Sequence, residues 1–234
     1  MVFYNNNLDE YNLCEDSLKY INKGYCGSVY KIDGTDKILK TYNDETVSYY
    51  RINNEMFETI KDLNNSHIMK IYDILYKNKE ADIIEAYIGE YIKSDNVDVM
   101  LKETDYLLEN IKEVEDLSQK LNEHNILLDD MTYNNVILTD SKIVLIDMDS
   151  WKNIKSSKEE TKRINKMEVL VLFKRIIQST IVKQKYDNAW FYTTTQELFD
   201  FDREELMNKP LTDLVSEKIK TYKYTIDYFK KTGK

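Results

Sequence analysis

The chain has 234 residues, 42% hydrophobic and 32% charged, a balance typical of a globular protein with one or two domains. Its net charge of −9 at pH 7 argues against a protein whose main task is to grip nucleic-acid phosphates, so no nucleic-acid partner is expected. The two cysteines, Cys14 and Cys26, are too few for a disulfide framework and lack the spacing of a zinc site.

Neither the N-terminus nor the most apolar stretch of the chain suggests a membrane protein. The N-terminus lacks the basic start and apolar core of a signal peptide. The most apolar helical stretch, Met167 to Val182, is interrupted by Lys174 and Arg175 and is too short to cross a bilayer. We therefore expect a cytoplasmic protein with no membrane segment.

Residues 17–42 predict three strands joined by two turns. Asp33-Gly34-Thr35-Asp36 suits a hairpin turn, because Gly and Asp tolerate the positive φ values that such turns need. The other turn lies in the sequence NKGYCGSV from Asn22 to Val29, and a glycine loop between strands can bring backbone N–H groups close to phosphate oxygens. Lys40 ends the third strand. Two ordinary glycine turns and a surface lysine would give the same pattern.

The next elements alternate between helix and strand. Asn43 or Asp44 can cap a helix that runs to about Leu63. Apolar residues repeat there at helical spacing and predict a buried stripe of Ile52, Met56, Ile60 and Leu63. The other predicted elements are strands at Ile68–Tyr76 and Ala81–Glu85 and helices around Val97–Leu101, Tyr106–Leu121, Asn165–Val182, Thr195–Asn208 and Leu211–Lys231.

The most informative stretch runs from Leu128 to Trp151. Asp130 and Asn135 have the spacing D-x-x-x-x-N, a predicted hairpin of two apolar runs follows at 136–138 and 143–146, and Asp147 comes directly after it. This set suits phosphoryl transfer, because one carboxylate can take the proton of an attacking hydroxyl while an amide and a second carboxylate hold Mg²⁺. The alternative is that Asp130 and Asn135 are ordinary turn residues and Asp147 a strand-end carboxylate.

The order of these motifs resembles the protein-kinase-like fold superfamily, from about Asp16 to the end of the chain. The resemblance implies an α+β, bilobal protein with nucleotide between the lobes. Residues 1–86 would form an N-lobe with a five-stranded antiparallel sheet and a helix, and residues 87–234 a mainly helical C-lobe. Together they would make one kinase-fold unit.

The same resemblance implies roles for individual residues, with ATP and Mg²⁺ as cofactors. Asp130 would be the catalytic base, and Asn135 and Asp147 would be metal ligands. Lys40 would contact the α and β phosphates. The loop residues Gly24, Gly27 and Val29 would lie over the nucleotide.

Two further roles follow from the resemblance, at the lysine partner and at the hinge. Ungapped alignment puts Met56 where the family has the glutamate that pairs with the lysine, and a one-residue shift favours Glu55 over Glu58. Both glutamates could instead be solvated. Glu85 and Tyr87 would belong to the hinge that contacts adenine.

The sequence also departs from conventional protein kinases. Leu128-Asp129-Asp130 replaces His-Arg-Asp, and Met148-Asp149 replaces Phe-Gly after Asp147. These features are similar to compact bacterial-type kinases and to aminoglycoside and choline phosphotransferases. The expected function is transfer of the ATP γ-phosphate to a hydroxyl acceptor, with protein favoured over a small molecule. A catalytically weak pseudokinase that acts as a nucleotide-binding interaction module is the remaining alternative.

Overall fold

A computed structural model describes residues 1–7, 9–43, 45, 51–94, 104–154, 157–183, 200–216 and 218–220. These residues form an α+β protein with a seven-stranded antiparallel sheet and several helices. The chain divides into two units, Met1–Lys93 with Leu145–Trp151, and Ser94–Val144 with Lys152–Lys234. The predicted boundary between residues 86 and 87 lies inside a strand of the first unit.

The first unit is built on the sheet. Its strands are β1 Val2–Tyr4, β2 Glu10–Asn12, β3 Leu18–Lys23, β4 Gly27–Ile32, β5 Lys37–Tyr42, β6 Ile71–Tyr76 and β7 Ile84–Glu90. Their order across the sheet is β2-β1-β6-β7-β5-β4-β3. The sheet has two more strands than the five expected, because β1 and β2 form an additional hairpin whose three-residue strands are too short to show alternation.

The two faces of the sheet carry different residues. Leu39, Leu75, Ala86 and Ile88 are buried on one face, where β1 and β2 help to cover them. The opposite face carries a cross-strand row in which Lys40 pairs with Val29 of β4 and Tyr87 of β7. Directly paired residues of antiparallel strands point to the same face, so this row places Lys40 between two side chains on the side away from the apolar cluster.

The helix of the first unit, α1, is Asn54–Leu63. The side chain of Asn53 caps it by accepting the Met56 backbone N–H at 2.8 Å, and Asn64 ends it in the left-handed conformation. The predicted end near Leu63 is confirmed, whereas the cap lies later than the predicted Asn43 or Asp44. Residues 44 and 46–50 lie outside the described part of the chain. The buried residues of α1 are Met56, Phe57 and Ile60.

The second unit is mainly helical, with short strand pairs. Its elements are α2 Thr104–Glu123, β8 Ile126–Leu127, β9 Val136–Leu138, β10 Ile143–Leu145, whose last residue belongs to the first unit, β11 Lys152–Asn153, α3 Lys158–Lys183 and α4 Arg203–Asn208, with helical turns at 211–216 and 218–220. The predicted long helix and the predicted hairpin are confirmed. The helix predicted around Val97–Leu101 lies outside the described residues, as do parts of the two C-terminal predictions.

Among the helices that the structure describes, none combines the length and apolar character needed to cross a membrane.

Candidate functional site

Lys40 is the centre of a buried charged cluster in the first unit. Its side chain is almost fully enclosed, with 5% of the residue exposed. The Nζ atom donates to carboxylate oxygens of Asp147 and Asp149, which lie 107 and 109 residues away in the sequence. The structure therefore brings together two of the predicted site residues, Lys40 and Asp147, and adds a third.

The two carboxylates differ in their surroundings. The Asp149 side chain is 4% exposed, whereas that of Asp147 is 41% exposed. The hydroxyl of Tyr42 donates to Asp149 Oδ1 at 2.6 Å and accepts the Ile52 backbone N–H at 3.1 Å. Asp149 is thus held inside the protein, while Asp147 is open to solvent.

Backbone contacts set the position of Asp147. Leu145, two residues before Asp147, is held by two backbone hydrogen bonds. Its N–H donates to His67 O at 2.8 Å, and its carbonyl accepts the Met69 N–H at 2.9 Å. Asp147 itself has a φ of 60°, and a single 3-10 turn, Met148–Ser150, follows it. A left-handed residue other than glycine is strained and persists where surrounding contacts hold it. Here the strained residue is the one whose carboxylate meets Lys40.

The ionisation of the cluster follows from burial and from the opposite charges. Burial alone would lower the pKa of Lys40, but Tyr87, Asp149 and Asp147 raise it well above its ordinary value, so the ammonium form is retained. Burial would raise the pKa of Asp147, and the Lys40 ammonium overcomes this and lowers it. Burial raises the pKa of Asp149 to about 6, with Lys40 opposing and Asp147 adding to the rise. With both carboxylates ionised, the cluster carries more negative than positive charge and can attract a cation.

The glycine loop is a tight turn between β3 and β4. The Gly24 N–H donates to Gly27 O at 2.8 Å. Asn43 holds the loop through its N–H to Cys26 O at 2.9 Å and its Nδ2 to Tyr25 O at 3.0 Å. A Cβ at Gly27 would lie 1.9 Å from Thr41 O, so the close approach of β5 already requires glycine there. The glycine at Gly24 has no such cause, because the nearest atom to a Cβ there is 4.0 Å away.

Asp130 and Asn135 meet in the second unit. The Asn135 Nδ2 donates to the Asp130 carbonyl and to its Oδ2, both at 2.9 Å. Asp130 is exposed and has a φ of 54°. Since the amide nitrogen faces Asp130, the amide oxygen is the atom of Asn135 suited to a metal ion.

The loop that carries Asp130 is anchored on both sides of that residue. Asn165 of α3 accepts the Leu128 N–H at 2.8 Å, and Arg175 donates to Met131 O at 3.1 Å. Lys152 forms an ion pair with Asp129 at 2.5 Å. These contacts hold the Asp130 backbone while its side chain remains in solvent.

The prediction that Glu55 pairs with Lys40 is wrong. Glu55 lies on the exposed side of α1, and the buried residue beside it is Met56, at 1% exposure. The carboxylates that contact Lys40 are Asp147 and Asp149 instead. The helical stripe explains this difference, because the position that faces the sheet is occupied by an apolar side chain.

The predicted hinge residues are not at a strand exit. Tyr87 lies in the middle of β7, is fully buried at 1% exposure and is paired with strands on both sides. Glu85 also lies in β7, and its side chain approaches Arg51 at 3.4 Å. The strand β7 continues to Glu90, and β5 and β6 both pair with it along this length. A backbone hinge at these two positions does not fit this arrangement.

Sequence reasoning missed Asp149 and Tyr42 as members of the cluster. Tyr42 lies two residues after Lys40 on β5, and side chains at this separation share a face of a strand. That periodicity was an available signal. For Asp149 the only signal is its place two residues after Asp147, which does not by itself predict a contact with β5.

A metal ion here would need ligands from outside the protein. Across the described residues, no group of three or more His, Cys, Asp or Glu side chains is arranged to hold a metal ion. Mg²⁺ in nucleotide sites is commonly held by one or two carboxylates together with phosphate and water oxygens. The half-exposed Asp147 fits that kind of site, and the fully engaged Asp149 does not.

No protein-family model matches the chain, and no curated protein matches it significantly.

Proposed function

We propose that this protein is an ATP- and Mg²⁺-dependent kinase of protein-kinase-like, bilobal architecture that transfers the γ-phosphate to a hydroxyl acceptor, with protein as the favoured acceptor. The observation that carries the proposal is the contact between buried Lys40 and half-exposed Asp147. Phosphoryl transfer needs a fixed cation for the phosphates beside a carboxylate for the metal. The contact supplies both groups.

The alternative for this contact is an ion pair that serves only the fold. Burying charges is costly, and apolar residues often stabilise a core as well or better. An ion pair with a purely structural role has no reason to leave one carboxylate open, yet the Asp147 side chain is 41% exposed. This exposure favours a functional role for the pair.

The proposal assigns a role to each of the other residues. Lys40 binds the α and β phosphates, and Asp147 holds Mg²⁺. Asn135 is proposed as a metal ligand through its amide oxygen. Asp130 orients the acceptor hydroxyl and accepts its proton. Gly24, Gly27 and Val29 cover the phosphates. Among them, Gly24 is a glycine that is not required by packing against the rest of the protein. The backbone that contacts adenine would lie beyond Glu90, where β7 ends.

Nucleotide binding by the Lys40→Ala variant tests the site. A hydrogen bond to a charged group contributes about 1.5–3 kcal/mol, so we expect Mg-ATP affinity to fall roughly 10- to 100-fold. Calorimetric titration of the parent and the variant with Mg-ATP measures this loss. Lys37→Ala, in the same strand but less buried, is the control and should bind like the parent.

The acceptor is identified by γ-phosphate transfer from labelled ATP onto the protein itself, generic proteins, aminoglycosides and amino-alcohols. Labelling of protein supports the favoured acceptor, and labelling of small molecules moves the assignment to a small-molecule phosphotransferase. Tight Mg-ATP binding with no transfer to any acceptor supports a nucleotide-binding interaction module. A parent protein that binds no Mg-ATP contradicts the proposed function altogether.

A further inference from the structure

We propose that Asp149 is the positioning residue for Lys40, and that it keeps the lysine in place while Asp147 binds the metal ion. This role rests on the proposed function, because it concerns the same nucleotide site. It assigns to a residue after β10 the task that was expected of a glutamate on α1. No step of chemistry is attributed to Asp149 itself.

The first support is the division of contacts between the two carboxylates. Asp149 uses Oδ2 for Lys40 and Oδ1 for the Tyr42 hydroxyl, so both of its oxygens have protein partners. It is also 4% exposed, which leaves no open side for a hydrated metal ion. Asp147 meets Lys40 through Oδ1 and is 41% exposed. The two carboxylates are therefore suited to different partners.

The second support is a chain of hydrogen bonds that orients Asp149. The Ile52 N–H donates to the Tyr42 oxygen, and the Tyr42 hydroxyl donates to Asp149. Ile52 is 3% exposed and Tyr42 is 6% exposed, so this chain is shielded from water. A buried carboxylate whose orientation is fixed by the fold can hold an ammonium group at a constant position.

The third support is the electrostatic consequence of metal binding. A divalent cation held by Asp147 would repel the Lys40 ammonium and would compete with it for the same carboxylate. With Asp147 as its only partner, Lys40 would become a buried cation without a counter-charge, which is strongly unfavourable. Asp149 removes that conflict, since it pairs with Lys40 independently of the metal.

A double-mutant cycle tests this role. The affinity for ATP is measured by calorimetric titration, with Mg²⁺ and with chelator, for the parent, Lys40→Ala, Asp149→Asn and the double variant. Because Asp149 acts through Lys40, we expect Asp149→Asn to weaken Mg-ATP binding roughly 10-fold or more. In the Lys40→Ala background the same change should not lower the affinity for Mg-ATP any further. If the fold-losses of Mg-ATP affinity in the two single variants multiply in the double variant, the proposal is overturned.

Matched variants separate positioning from folding. Asp62→Asn makes the same chemical change at an exposed position of α1 and should leave the affinity unchanged. Tyr42→Phe removes the hydrogen bond to Asp149 but keeps the carboxylate. It should cause a smaller loss of affinity that also disappears in the Lys40→Ala background, and it serves where Asp149→Asn does not fold. An additive effect of Tyr42→Phe counts against the proposal in the same way.

The two proposals fail differently. A parent protein that binds no ATP overturns the nucleotide site, and the role of Asp149 falls with it. A parent that binds Mg-ATP and loses affinity on Lys40→Ala, but not on Asp149→Asn, overturns the role of Asp149 alone.

Discussion

At the scale of single residues, burial distinguishes members of the site that the sequence presents as equivalent. Asp130, Asp147 and Asp149 are the same residue type within one stretch of the chain, yet their exposures differ widely. Asp130 is exposed and accepts a hydrogen bond from Asn135, Asp147 is half-buried beside Lys40, and Asp149 is enclosed. An exposed carboxylate can reach an acceptor, whereas an enclosed one can act only on its neighbours.

The proposed base leads to a prediction at this scale. Asp130→Asn should lower the rate of phosphate transfer by about 10²- to 10⁴-fold, the usual contribution of a positioned general base. Mg-ATP affinity should stay within a few-fold of the parent, because Asp130 is assigned to the acceptor. Asparagine tolerates the left-handed conformation found here, so stability should be preserved.

Asp140→Asn, in the exposed turn between β9 and β10, is the control for this substitution and should transfer phosphate like the parent. Initial rates at saturating Mg-ATP provide the measurement. Undiminished transfer by Asp130→Asn would show that another group accepts the proton.

At the scale of elements, the two glycines of the β3–β4 turn have different physical reasons to be glycine. Gly27 lies against the backbone of β5, where any Cβ would overlap Thr41 O. A Cβ at Gly24 would meet no atom closer than 4.0 Å, and Gly24 does not have a positive φ. The first is required by strand packing, and the second is free to serve a ligand.

Alanine at the two positions is therefore expected to have different effects. Gly27→Ala should destabilise the protein by about 1–3 kcal/mol, as overpacking does, because the β5 backbone must move. Gly24→Ala should leave stability within about 0.5 kcal/mol of the parent but weaken Mg-ATP binding, since a side chain would stand between the loop and the phosphates. Denaturant unfolding and calorimetric titration of both variants check this. Unchanged affinity in Gly24→Ala would remove this loop position from the nucleotide site.

At the scale of the whole molecule, the proposed cofactors link folding to binding. A ligand that binds only the folded state stabilises it by RT ln(1 + [L]/Kd), which is about 2.7 kcal/mol at a hundredfold excess over Kd. For a chain of this length, that corresponds to a rise in Tm of roughly 5–10 °C.

We therefore expect Mg-ATP to raise Tm, and a chelator added with ATP to remove most of the rise, since the proposal has Asp147 bind the nucleotide through the metal. Thermal scans at increasing Mg-ATP measure the shift. In Asp147→Asn, most of the rise in Tm should be missing even with Mg²⁺ present. A full shift in Asp147→Asn would contradict its assignment as a metal ligand.

Much of the local structure follows from the sequence. The three strands from Leu18 to Tyr42, the helix α2 and the hairpin β9–β10 were all predicted, because hydrophobic periodicity and turn residues act over a few neighbours. Lys40 and Asp147 were predicted members of one site, and the structure places them in contact. The kinase assignment itself stays a proposal.

The remaining features depend on contacts between distant segments, which no local pattern encodes. β7 runs to Glu90, beyond its predicted end, because it is paired on both sides, and this places Tyr87 inside the sheet. Glu55 faces solvent because the inward position of α1 belongs to Met56. The sequence alone determined which residue types could bind phosphate and metal, since that is a matter of side-chain chemistry. Only the tertiary structure decided which carboxylate holds Lys40, because the choice depends on which buried group, 109 residues away, meets the ammonium and is itself held by Tyr42.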